Sequence, residues 1–497
     1  MLLRFLTPLF LLSASSACDL KPASFKETGI VCRVTKPAAL VLNKQTAQVI
    51  QAAFKHATYP DINGERAVKV LGKVTYGLNN IQINDLTIEN SEVDLKEDHA
   101  VNIMIQNVSA SFKGILHYGY GGWFVNIGHS IEFEIESAMD LHINTELTCR
   151  NDRVAVDTSD CYLTFHKLLL HLHGDKQPGW IQQLFTRFIS FTLKLVLKSQ
   201  ICKEINHVAS LLADFIQDRA ENFLHDGDIG VDISVTSFPI IKANYMESHH
   251  KGLLLYKNYT VSFNESLFAP SLLTESRMLY FWFSEQVLNS LVMAAFLDGR
   301  LTTNITGEEL KEMLESEDLK AHRGILKEIF CGSLAEDGLL QVWGLTPPET
   351  TVTLEGTVVK SSAAVQLSMR SIQEGSSMVL YFETEVIATI MASYVEKKLI
   401  LHLSNSTIYT NNITCASEIS ANEGSIRTFL QTAINTVGIP AVISRLEPAL
   451  TALMNSKGLH LFEISNPEII TKEGYLIVQL DFAFPHHLLV DFLKAAM

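Results

Sequence analysis

Three histidine pairs are the first residues whose type and spacing invite chemistry: His171-x-His173, His249-His250 and His486-His487. Each pair offers two imidazoles to a metal ion. Isolated pairs of this kind are more often surface or hydrogen-bonded residues, and none of the 7 cysteines has the C-x-x-C spacing of a zinc site. No metal is expected. No G-x-S-x-G elbow, no H-E-x-x-H and no phosphate loop of the G-x-x-x-x-G-K type occurs. A scattered Ser/His/Asp triad is recognised by geometry rather than by order, and nothing in the sequence supports one. The chain is therefore not expected to be an enzyme or to need a cofactor.

The cysteines (Cys18, Cys32, Cys149, Cys161, Cys202, Cys331 and Cys415) are odd in number and too few for a disulfide scaffold. One bridge is expected, between Cys161 and Cys202. Cys161 starts an apolar strand-like run and Cys202 ends a helical one, so the bond would staple helix to sheet and contribute roughly 3–4 kcal/mol. Six sequons, at Asn107, Asn258, Asn264, Asn304, Asn405 and Asn412, are candidate glycosylation sites. Sugars and a disulfide both belong to an exported protein, and the N-terminus agrees. Arg4 is the only charge there, Leu9 to Leu12 anchor a short apolar stretch, and Ser15-Ser16-Ala17 offers a cleavage site. Residues 1–17 read as a signal peptide. No later segment reaches 18 uninterrupted apolar residues, so no transmembrane anchor is expected.

Long alternating runs are the elements that must position any site. From Ile131 to Leu147 the odd positions are mostly apolar (Ile131, Phe133, Ile135, Met139, Leu141, Ile143, Leu147) and the even ones mostly polar (Glu132, Glu134, Glu136, Asp140, His142, Asn144, Glu146). Strands usually run five or six residues, and at ~3.3 Å per residue this one would extend about 55 Å. A strand so long, wet on one face and dry on the other, implies an elongated and strongly twisted antiparallel sheet. Weaker runs span Ile81 to Leu95, Val101 to Leu116, Val352 to Met369 and Met378 to Leu403.

Helical patterns punctuate them. Gln45 to Ala57 carries one apolar face. Pro178 opens a longer helix with Trp180, Ile181, Leu184, Phe185, Phe188, Phe191 and Leu195 as its stripe. Ser284 to Leu297 and Ser425 to Met454 follow, the last kinked at Pro440. The order (short helix, long strands, long helix, strands) is performed twice, with Asn258 to Ser276 as an exposed linker. The fold class is α+β, with helices laid along curled sheets; an unrelated pair of α+β domains stays open as the alternative. The expected domains are 18–257, a linker at 258–277, 278–483, and a terminal segment 484–497. In that segment Pro485 starts a helix whose apolar positions Leu488, Leu489, Phe492, Leu493 and Ala496 recur at helical spacing. It is either docked on its own domain or a lid, or an interfacial segment that dips into lipid.

Composition leaves a puzzle. Of 497 residues, 47% are hydrophobic and 19% charged, the net charge is −15 and mean hydropathy is +0.16. The acidic balance argues against a nucleic-acid partner. A chain without a membrane span has no evident use for so much apolar surface.

Here the sequence resembles the family of bactericidal/permeability-increasing protein and plasma lipid transfer proteins. The features that carry the resemblance are Gly29-Ile30-Val31-Cys32-Arg33-Val34, Tyr59-Pro60-Asp61-Ile62, the Cys161 and Cys202 pair, and Gly179-Trp180-Ile181-Gln182-Gln183-Leu184-Phe185. Three further stretches look most like a neutral-lipid-exchanging member: Phe191 to Lys198, Ala452 to Gly458, and Phe484 to Leu493. The similarity covers nearly the whole chain after the leader, thinning at Glu308 to Thr351 and around Asn411 to Asn422.

What the resemblance implies is an elongated boomerang of two twisted antiparallel β-barrels, joined by a central sheet and pierced by an apolar tunnel. It also implies secretion into plasma and exchange of cholesteryl ester, triglyceride and some phospholipid between lipoproteins (HDL, LDL and VLDL), by a monomer. On the matching positions Gln217, Arg219, Ser248 and His250 would meet phospholipid headgroups or gate the tunnel waist, and Arg219 suits a phosphate by charge and fork geometry. Without the family, all four are ordinary surface polar residues. Leu488, Leu489, Phe492 and Leu493 would cover a tunnel mouth. At about 0.8 kcal/mol per methylene, a cholesteryl ester loses tens of kcal/mol on entering water, so an apolar path alone accelerates exchange. Two rivals remain. One is a phospholipid-transfer or endotoxin-binding member of the same fold, against which the acidic charge speaks. The other is a secreted lipase or acyltransferase, which the missing nucleophile elbow disfavours.

Overall fold

The computed structural model describes residues 25–483 apart from 69–71, 98–99, 123–124, 174–180, 182–183, 186–188, 258–264, 270–275, 330–337, 372–374, 416–421 and 457–462. The first half opens with β1 (Ile30–Thr35) and α1 (Lys36–His56), then five strands: β2 (Ile62–Val68), β3 (Gly72–Lys96), β4 (Ala100–Gly122), β5 (Val125–Arg150) and β6 (Arg153–His173). α2 (Ser190–Leu224), β7 (Ile229–Asp232), β8 (Ile240–Ile241), β9 (Tyr245–His250) and β10 (Leu253–Tyr256) follow. The second half repeats the order: β11 (Leu279–Ser284), α3 (Glu285–Leu297), β12 (Thr302–Thr306), α4 (Gly307–Leu314), α5 (Arg323–Ile329), β13 (Gly338–Gly344), β14 (Glu349–Thr353), β15 (Gly356–Ser371), β16 (Gly375–Val395) and β17 (Lys398–Cys415). It ends with α6 (Glu423–Ala433), α7 (Ile439–Ser456), β18 (Glu463–Lys472) and β19 (Tyr475–Ala483).

The long alternating run is real. β5 buries Phe133, Ile135, Ser137, Met139, Leu141 and Ile143, and turns the intervening Glu and Asp side chains outward. It lies between β4 and β6 in the order β2-β3-β4-β5-β6, all antiparallel. α1 and α2 close over the dry face, and their Phe54, Leu193, Leu197 and Ile201, with Ile189 just before α2, join Phe112, Phe133 and Leu141 in one core. The second sheet runs β12-β13-β15-β16-β17, with β14 also on β15.

A six-stranded central sheet, β18-β19-β11-β1-β9-β8, joins the halves. Its seam is β1 against β11, with Val31 opposite Trp282 and Arg33 opposite Tyr280. Each seam strand leads directly into a helix, α1 or α3, so the repeat of element order is a repeat of structure. Antiparallel pairing of equivalent strands is what a two-fold relation between the halves produces.

Several sequence expectations change. α1 starts at Lys36, nine residues before Gln45. Its first turns carry apolar residues on all sides (Leu40 and Leu42 are exposed, Ala38 and Ala39 buried), which hides the stripe, while Pro37 marks the start. Cys202 does not end its helix, because α2 continues to Leu224. Pro178 lies outside the described residues; Ile181, Leu184, Phe185 and Ile189 are buried in the first core.

The runs Val352 to Met369 and Met378 to Leu403 are each broken by a hairpin, at Leu354-Glu355 and Glu396-Lys397. The helix expected from Ser425 to Met454 divides at a π turn, Ile434–Gly438. Pro440 has no N–H for the ladder, so the widened turn sits where the α-helical bond to Thr436 is missing. The expected exposed linker is anchored in part: Phe268 is buried among Val31, Tyr280, Trp282, Tyr475 and Ile477.

Candidate functional site

Three helices, α2, α6 and α7, hold the free edges of the two long sheets with their side chains. On α2, Gln217 accepts from the Val154 N–H and donates back to its carbonyl, at 2.9 and 2.8 Å, so one amide replaces a neighbouring strand. Eleven and fifteen residues earlier on the same helix, Asn206 accepts from the Thr158 N–H at 2.9 Å and Cys202 is bonded to Cys161 across a Cα separation of 5.7 Å. The expected staple of helix to sheet is therefore formed. β17 is treated alike: Arg427 donates to the Thr410 carbonyl and Gln431 to that of Ile408, while Glu447 and Thr451 accept from the N–H groups of Leu401 and Leu399. Edge strands expose unpaired donors and acceptors, and these helices satisfy them.

Of the four polar residues singled out by resemblance, two meet directly. His250 Nε2 lies 2.9 Å from Ser248 Oγ, and its Nδ1 donates to the Ile233 carbonyl at 2.9 Å. Burial lowers the His250 pKa; the Ile233 bond works in the other direction and His249 adds to the lowering. The ring is thus neutral at pH 7, with Nδ1 protonated and Nε2 accepting. Gln217 has both amide hydrogens committed, to Val154 and Ala213. Arg219, one turn-half further, is exposed, its guanidinium 4.9 Å from the Phe215 ring. The two pairs share a neighbourhood: Val235, which bridges to His250, donates to the Asp152 carbonyl in the turn that ends at Val154's strand.

Next to Ser248 runs a buried network that motif reading missed. Arg33 Nε and Nη2 sit 2.8 and 2.7 Å from Glu247 Oε2, His249 Nε2 is 2.7 Å from Glu247 Oε1, and Ser237 Oγ is 2.9 Å from His249 Nδ1. Burial alone would raise the Glu247 carboxyl; the His249 hydrogen bond and the Arg33 charge outweigh it and hold the group below the usual carboxylate range. Ser, His and Glu are adjacent here, yet Ser237 is 0% exposed and Glu247 is neutralised by Arg33. No acyl carbon reaches that hydroxyl, so the network ties strands together. Cys32, on the same strand as Arg33, is a free thiol pushed up to about 12 by burial and the Glu247 charge. The one sequence signal was an Arg set in an otherwise apolar strand.

The apolar interior differs between the halves. The inward residues of β5 from Phe133 to Ile143 are buried, whereas Leu399, Leu401, Leu403 and Ile408 of β17 are only half-buried. His171 and His173 face Glu136 and Glu134 at 3.5 and 3.6 Å on the outer surface. Among the described residues no group of three or more His, Cys, Asp or Glu could hold a metal, and no helix is long and apolar enough to cross a membrane.

Two family models cover most of the chain: the LBP / BPI / CETP family N-terminal domain at residues 39–214 and its C-terminal domain at 224–484. The chain belongs to the LBP / BPI / CETP family. Within that family it is 56% identical to a cholesteryl ester transfer protein from Gallus gallus, over 98% of this chain and 97% of the relative. It is 51% identical to that of Homo sapiens, over 98% of each. A lipopolysaccharide-binding protein from Rattus norvegicus is 26% identical over 62% of this chain and 63% of its own.

Four sequons, at Asn107, Asn304, Asn405 and Asn412, lie on strands with exposed side chains. Asn258 and Asn264 lie outside the described residues, as do the leader 1–17, the His486-His487 pair and the terminal positions Leu488, Leu489, Phe492 and Leu493.

Proposed function

We propose that this chain is a secreted carrier that moves cholesteryl ester, triglyceride and some phospholipid between lipoproteins through an apolar interior, without making or breaking a bond. The observation that carries the reading is the match over 98% of the chain, at 51 and 56% identity, to proteins named for transferring cholesteryl ester. The more distant lipopolysaccharide-binding relative matches a shorter part of the chain at 26%, so the endotoxin-binding alternative has less behind it.

Physical chemistry says what such a protein must do. The barrier to spontaneous exchange is the exposure of dozens of apolar carbons to water, at about 0.8 kcal/mol each. A sheltered path lowers that barrier without any nucleophile or proton transfer. The half-buried leucines of β17 supply apolar surface that protein side chains leave uncovered. At the polar margin, Arg219 is the exposed cation suited to a phosphate headgroup. Gln217 fixes the helix turn that bears it, and Ser248 with His250 offers a hydroxyl and a neutral imidazole. Leu488, Leu489, Phe492 and Leu493 form an apolar lid over a tunnel mouth. The working partner is the lipoprotein surface, of HDL, LDL or VLDL, met by a monomer.

Incubation with donor particles carrying cholesteryl ester labelled in both sterol and acyl groups tests the reading. Intact ester should reach acceptor particles at a rate proportional to protein concentration, with both labels moving together. Release of labelled fatty acid would make the protein a hydrolase, and no movement would leave it without this function.

A further inference from the structure

The inward face of the C-terminal sheet loses its cover toward the far end. On β16 the inward residues Phe382, Thr384 and Ala388 are buried, but Ile390, Ala392 and Tyr394 are only half-buried. Their register partners on β17 (Leu403, Leu401 and Leu399) are half-buried too. α7 passes this face, fastened to the edge by Glu447 and Thr451, and leaves these apolar side chains incompletely covered.

One polar group on this face lacks a partner among the described residues. The Tyr394 hydroxyl is buried and has no hydrogen-bonding partner among the described residues. An unpaired buried hydroxyl destabilises the protein that carries it, and a phenylalanine would fill the ring position without that cost. Desolvation raises its pKa, so at neutral pH it is an O–H donor, and what it lacks is an acceptor. Cholesteryl esters and triglycerides are hydrocarbon almost throughout, and their strong acceptor is the ester carbonyl. An apolar face with a hidden, unpaired donor complements that chemistry.

We propose that Tyr394 donates its hydroxyl hydrogen to the ester carbonyl of a neutral lipid whose hydrocarbon lies against Ile390, Ala392, Leu399, Leu401 and Leu403. The far end of the C-terminal sheet is then a cargo site that orients the ester. The inference rests on the carrier reading above and adds the group that recognises the cargo's ester carbonyl.

The test uses the full-length protein, wild type and Tyr394→Phe, offered equal amounts of cholesteryl oleate and cholesteryl oleyl ether in one emulsion. Bound lipid is read by mass spectrometry after re-isolation. The ether keeps the shape and lacks the carbonyl. Wild type should favour ester over ether by roughly 5- to 10-fold, the worth of one hydrogen bond, and Tyr394→Phe should bring the ratio near one by losing ester while ether uptake holds. A ratio near one in wild type, or one the substitution leaves unchanged, overturns the proposal while the carrier reading stands. Uptake of neither lipid by wild type sinks both. Lipid-free Tyr394→Phe should melt at or above the wild-type temperature; a fall of several degrees would mean that the hydroxyl already has a protein partner, and would overturn the proposal too.

Discussion

Arg33 and Glu247 are 4% and 5% exposed, and at that depth a charge is tolerable only while it is paired. Removing one partner of such a pair costs about 3–5 kcal/mol, because the other is left uncompensated, whereas replacing both by apolar groups costs far less. Glu247→Gln should therefore lower the melting temperature sharply, and Arg33→Met in the same chain should recover most of the loss. Equal destabilisation by the single and double variants would mean that the pair is not what holds the strands.

Acid adds to this. His250 keeps its neutral form below the ordinary imidazole value of 6.5, so its contribution is complete above that value and is lost as pH falls through its depressed one. Stability of wild type should fall on acidification from about pH 6.5, and His250→Gln should flatten that limb by up to ~1.4 kcal/mol per pH unit. Glu247, held low, contributes in the same sense, and its loss comes below the ordinary carboxylate range. Chemical denaturation at stepped pH measures both. Of these residues the sequence disclosed little on its own. Ser248 and His250 entered by resemblance, and Arg33 meets Glu247 across 214 positions, a separation that no local pattern encodes.

Elements were more legible than residues because alternation reports burial directly, and where reading failed the cause is specific. At Glu396-Lys397 the inward residues change phase, from Ile390, Ala392 and Tyr394 to Leu399, Leu401 and Leu403. That phase change was present in the sequence, but without Gly, Asn or Pro to mark a turn the run reads as one strand. Both turn residues have positive φ, 51° and 63°, the conformation that a two-residue hairpin demands and that Asn-Gly adopts at least cost. Replacing Glu396-Lys397 by Asn-Gly should stabilise the protein by about 1–2 kcal/mol. Thermal denaturation checks the sign, and no gain would place the strain elsewhere. The edge-holding role of α2, α6 and α7 was not legible. It depends on polar residues (Asn206, Gln217, Gln431, Thr451) that on a helical wheel look like solvated surface.

At the scale of the molecule, two halves of matching element order carry unequal cores. Thirty-two described residues form the buried cluster of the first half and nine that of the second. Resistance to local opening follows buried apolar contact, so lipid-free protein should exchange its β15, β16 and β17 amides faster than those of β3, β4 and β5. The difference has a functional reading. Apolar surface that protein does not cover is available to cargo, and a ligand bound only by the folded state stabilises by about 2.7 kcal/mol at a hundredfold excess over its dissociation constant. Loading with cholesteryl ester should therefore slow exchange in the second half, most at Ile390 to Leu403, and leave the center of β5 unchanged. Hydrogen exchange read by mass spectrometry separates the outcomes. Uniform protection in the lipid-free protein would mean that the second core is as well packed as the first, and slowing confined to the first half would place the cargo there. The excess apolarity of the sequence finds its use only if the half with the thinner core is the half that lipid completes.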